Sequence, residues 1–85
     1  MRLKQDFLLR EVAGQHVVIP TGDMDLNAMI TLNETGAFLW KLLENETDEA
    51  VLVAALLAEY DVDEATAQKA VAAFVQTLKN HDFLA

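Results

Sequence analysis

The stretch LNAMITLNETGAFLW, residues 26–40, changes its hydrophobic period part-way through. From Leu26 the apolar residues alternate: Leu26, Ala28, Ile30 and Leu32 fall on one side, and Asn27, Met29 and Thr31 on the other. That is the pattern of a half-buried strand. From Asn33 the spacing turns helical, with Ala37, Trp40 and Leu43 in line and Phe38, Leu39 and Leu42 beside them. Asn33 is a natural N-cap. Gly36 lies one turn inside, although a helical glycine costs roughly 1 kcal/mol against alanine. At a strand-to-helix junction, a missing side chain predicts that the first helix approaches another backbone closely.

Upstream, DFLLREVAGQHVVIP holds two β-prone runs, Phe7 to Val12 and His16 to Ile19, joined by Ala13-Gly14-Gln15. A short glycine-containing connection of this kind reads as a hairpin. Pro20 ends the second run and TGDMD is a loop. Downstream, NETD breaks the first helix, and Thr47 is the expected cap of a second that carries Asp48 and Glu49 in its first turn. DVDEAT makes the next turn, with Asp63 as cap. The third helix then runs to about Asn80, with Ala67, Val71, Phe74, Val75 and Leu78 as its buried stripe. Phe83 and Leu84 are expected to fold back onto the core. The fold class is α+β: three strands, then three helices, in one domain over residues 1–85.

Composition narrows the chemistry. The chain is 53% hydrophobic, which argues for a packed core, and it has no cysteine, so packing alone must hold it. Its formal charge is −8, and no basic residue lies between Lys41 and Lys69, an interval with eight acids. Nucleic acids and anionic membranes need the opposite balance. No signal peptide or membrane span is read, so the expected location is cytoplasmic. The two NET triplets carry glycosylation spacing, which means nothing without secretion.

Enzyme chemistry finds little footing. Serine triads are excluded because the chain has no serine, and Gly14, Gly22 and Gly36 are isolated rather than clustered on a phosphate loop. His16 and His81 are far apart in sequence and read as ordinary surface residues rather than a metal pair. ENETDE lacks the ligand spacing of an EF-hand loop and reads as an acidic helix start. Binding remains. A three-stranded sheet has two edges, and a free edge accepts an extended peptide as a further strand. Leu26 to Leu32 carries no Lys or Pro to block pairing, and the alanines of the third helix, Ala67, Ala70, Ala72 and Ala73, either leave room for peptide side chains or simply favour helix.

At MITLNETGAFLWKLL (residues 29–43) the chain resembles the PqqD-like family, also called RiPP recognition elements. The likeness extends to the strand pair FLLREVAGQHVVIP and to Ala67, Val71, Phe74, Val75 and Leu78 in the third helix. It implies a winged-helix-like fold, a three-stranded antiparallel sheet followed by three α-helices, with no catalysis or cofactor of its own. It also implies capture of the leader segment of a ribosomally made precursor peptide, for presentation to a modifying enzyme, often a radical SAM protein. In the family the leader extends the third strand and packs on the third helix. Carried over, the edge is Met29, Ile30, Thr31 and Leu32, facing Ala67, Ala70, Val71 and Phe74. Two positions depart from the pattern: Ala70 replaces an acid before Val71, and LENETD replaces a Cys-Asp-Gly turn. The other readings are a protein-interaction or dimerisation module using the same edge, and a nucleic-acid binder built on a helix-turn-helix outline.

Overall fold

A computed structural model describes residues 1–5, 7–21 and 30–85. Strands β1 (Phe7–Val12), β2 (Gln15–Pro20) and β3 (Ile30–Leu32) precede helices α1 (Glu34–Leu42), α2 (Glu49–Glu59) and α3 (Glu64–Asn80). The sheet is antiparallel with β2 in the middle. The hairpin is tighter than its sequence suggests. Val12 pairs with Gln15, so the turn is only Ala13-Gly14, with φ of +53° and +80°. Two positive φ values in a two-residue loop match the right-handed twist of the strands it joins.

β3 shows the expected alternation: Leu32 is buried, Thr31 exposed and Ile30 half-buried. The earlier part of that predicted strand, residues 26–29, lies outside the described residues. The inward face of the sheet presents Phe7, Leu9, Val18, Ile30 and Leu32 to a core completed by Leu39, Trp40 and Leu43 of the α1 region, Leu52 and Leu56 of α2, and Val71, Val75 and Leu78 of α3. Phe83 does fold back. It is fully buried, with its ring centroid 4.4 Å from Phe7 and 5.8 Å, edge-on, from Trp40. Leu84 bridges to Leu3, so both ends of the described chain close the same side of the core.

Each helix starts on a side-chain cap. Asn33 Oδ1 accepts from Gly36 N at 2.7 Å, and Asp63 Oδ1 accepts from Thr66 N at 2.7 Å, both as expected. The cap of α2 is Asp48 rather than Thr47, with Oδ1 accepting from Val51 N at 2.9 Å. Thr47 is held elsewhere: its N–H donates to the Met1 carbonyl at 3.0 Å, and its own carbonyl accepts from the Met1 ammonium at 2.7 Å. Gly36 also differs from expectation. A Cβ built there would lie 3.1 Å from Asn33 Oδ1, 3.4 Å from Leu32 Cβ and 3.4 Å from Phe74 Cε1. The close approach is to side chains, not to a second backbone.

Candidate functional site

Among the described residues β3 is hydrogen-bonded on one side only, by β2. A strand in that position presents unsatisfied N–H and C=O groups that an added strand can complete. What singles out this edge is the ground at its C-terminal end. There Leu32 and the Phe74 ring converge on Gly36 from β3 and α3 respectively. Beside this junction a shallow hollow of about 330 Å³ lies between α1 and α3. Asn33, Thr35 and Gly36 form one wall, and Ala70, Ala73, Phe74 and Thr77 the other. A second hollow of about 150 Å³ shares Thr35 and Ala70 and continues towards Leu56, Tyr60 and Val62. Together they make a depression along one side of α3, with Thr35, Ala70 and Ala73 in its lining and two aromatic rings, Phe74 and Tyr60, beside them.

The residues expected at the site divide. Ile30, Thr31 and Leu32 form the described part of β3, while Met29 lies outside the described residues. On α3, Ala70 and Phe74 are half-buried and line the hollow. Ala67 and Val71 are each 1% exposed and belong to the core, and Ala67 also contributes to the lining of the second hollow. α3 carries two adjoining stripes of small or apolar residues. The stripe Ala67, Val71, Val75 and Leu78 is covered by the packed core, and the stripe Ala70, Ala73, Phe74 and Thr77 is left open. Periodicity finds both stripes but does not say which one a neighbour covers. Thr35, from the helix-entry motif, and Thr77 also line the hollow, and the sequence signal for Thr77 is its alignment with the alanine stripe.

Electrostatics at this end are acidic. Tyr60 lies at the far end of the depression with Phe38 edge-on at 5.5 Å. Its hydroxyl is pushed above the usual phenol range, chiefly by burial and then by Glu34 and Glu59. A larger cleft of about 550 Å³ lies on the opposite flank of α1, between the hairpin turn and β3, with Glu11, His16, Thr31, Leu32, Glu34 and Lys41 in its lining. Size alone does not make it the site. Its charges are mixed, and no His–carboxylate hydrogen bond among the described residues orients His16 for proton transfer. His81 is occupied differently, stacked on Phe83 at 5.3 Å. Among the described residues no group of three or more His, Cys, Asp or Glu is arranged to hold a metal ion, and no helix is long and apolar enough to cross a membrane.

A sheet with one edge opening at a helical groove is a receptor geometry, and the comparisons agree on the fold that carries it. The family model for coenzyme PQQ synthesis protein D (PqqD) matches residues 15–84, from β2 to the C-terminal tail. The chain belongs to the PqqD family. Two solved structures share the PqqD-type fold seen here. One, TbiB1 in complex with the TbiA(beta) leader peptide, is 24% identical with a TM-score of 0.78, and the match covers 99% of this chain and 94% of that one. The other, lasso peptide synthetase B1 complexed with the leader peptide, is 23% identical with a TM-score of 0.75, over 96% of this chain and 93% of that one. No curated protein matches the sequence.

Proposed function

We propose that this PqqD-family chain is a non-catalytic adaptor that binds the leader segment of a ribosomally made precursor peptide as a fourth strand on β3 and presents the rest of the precursor to a modifying enzyme. A radical SAM maturase is the proposed enzyme class. The observation that carries this reading is the convergence of an unpaired strand edge and an open helical stripe at Gly36. Backbone pairing along an edge supplies affinity with little selectivity, whereas a neighbouring groove that takes alternate side chains supplies the selectivity. The fold of two leader-peptide complexes supports the same reading.

In this proposal Met29, Ile30, Thr31 and Leu32 offer backbone groups. Ala70 and Phe74, with Gly36 and Ala73, shape the groove. Ala67 and Val71 hold α3 to the core beneath it. The acidic balance of the chain favours a leader carrying Lys or Arg near its bound segment. Titration of the isotope-labelled chain with the leader peptide is expected to move the resonances of Ile30 to Leu32 together with Ala70, Ala73, Phe74 and Thr77. Shifts at Glu11, His16 and Lys41 with none at Ala70, Ala73, Phe74 and Thr77 would remove the assignment.

A further inference from the structure

The sheet's second face departs from the usual rule. An antiparallel sheet covered on one side normally turns polar residues to water on the other. The register places Leu8, Arg10 and Val12 of β1, Gln15, Val17 and Ile19 of β2, and Thr31 of β3 on the face opposite the core. Four of these seven are aliphatic. Leu8 stands directly across from Ile19, and Val17 lies between Arg10 and Thr31. Leu8 is 44% exposed and Val12 53%, Val17 and Ile19 are half-buried, and among the described residues none of the four belongs to the buried core cluster. In a chain with fourteen acids and six bases, this face carries no acid among its described residues, and its one charge is Arg10.

We infer that this face, together with the outward side chains of a leader strand added to β3, is the docking surface for the modifying enzyme. The inference rests on the adaptor reading above. A strand paired to β3 continues the sheet, so every second side chain of the leader projects onto the same face. Seven side chains on one face of a small sheet cover on the order of a few hundred Å², less than the roughly 800 Å² per partner of a standard specific interface. The added strand enlarges it, so the enzyme engages the loaded adaptor more tightly than the empty one. The matching surface is apolar with a carboxylate opposite Arg10. A second copy of the chain fits poorly, because it would set two Arg10 guanidinium groups and two bodies of charge −8 against each other.

The test uses the full chain, a leader peptide selected for binding to it, and the enzyme that modifies the matching precursor. Leu8→Thr/Val12→Thr keeps strand-forming residues while removing apolar contact, and Arg10→Glu reverses the charge; unchanged melting midpoints verify folding. Leader affinity is expected to stay within about twofold of wild type, since these side chains point away from the groove. Enzyme affinity of the loaded adaptor is expected to fall about tenfold in the double variant and further in Arg10→Glu, with Arg10→Lys retaining most of it. Variants that bind the enzyme like wild type, or loaded wild type that does not bind it, overturn the docking surface and leave the adaptor reading standing. Failure of wild type to bind the leader removes the adaptor reading itself. Wild-type dimers that the double variant dissolves, seen by light scattering, assign the face to a second copy and overturn the inference.

Discussion

β1 and β3 are both edge strands, yet they differ as binding sites. β1 has six residues and β3 three described ones, so length favours β1. Along β1, however, Arg10 and Glu11 are exposed and charged, a common device against strand addition. Near its start, the shallow hollow that includes Leu3, Phe7 and Leu8 is floored by Trp40 and rimmed by Lys4 and Glu44. β3 ends instead where Leu32, Gly36 and Phe74 meet and the α3 stripe lies open. Unpaired backbone is common to both edges. In the adaptor proposal, what distinguishes β3 is the open helical stripe beside it.

The largest expected effect comes from filling that groove. Ala70→Trp places an indole where a leader side chain would sit, and leader affinity is expected to fall by about 2–3 kcal/mol in an anisotropy titration. An unchanged affinity would mean that α3 does not contribute. Next is Gly36→Leu. Asn33, Leu32 and Phe74 already lie 3.1–3.4 Å from the position of a Cβ, so overpacking of roughly 1–3 kcal/mol is expected. A thermal melt that does not shift would show that the junction can relax.

A smaller effect concerns the start of α3, which holds the open stripe in place. Hydrogen bonds from Thr66, side chain first and then backbone N–H, hold the Asp63 carboxyl below its usual range. A carboxylate with a depressed folded-state pKa stabilises the fold above its unfolded pKa, and that contribution fades as the pH falls through the folded value. Asp63→Asn keeps a capping oxygen but cannot titrate, so its melting midpoint should fall less between neutral and acidic pH than wild type. Parallel acid limbs would contradict this. The smallest expected effect is on leader binding by Leu8→Thr/Val12→Thr, which should be nearly nil. A marked loss there would move the peptide to the β1 side and reverse the comparison.

Much of the fold is legible in the residues because local signals and burial agree. The alternation ending at Leu32, the caps Asn33 and Asp63, and the stripe from Ala67 to Leu78 each point to the element found. The cap of α2 was less legible, since Thr47 and Asp48 both suit the role. The choice is made by contacts to Met1, distant in sequence, which hold the Thr47 backbone. The same limit applies at the site. Ala67 and Val71 differ from Ala70 and Phe74 only in which neighbour covers them, and that neighbour is set by how α3 packs against α2 and the rest of the core. Gly36 shows the converse. It looks like a flaw within a helix, but becomes intelligible once Phe74 is seen beside it.

Amide hydrogen exchange with and without the leader peptide tests strand addition at β3 most directly, because a new strand must protect backbone N–H groups. The account predicts added protection within Ile30 to Leu32 and none within Phe7 to Val12. Protection gained along β1, or no gain along β3 at saturating leader, would contradict it.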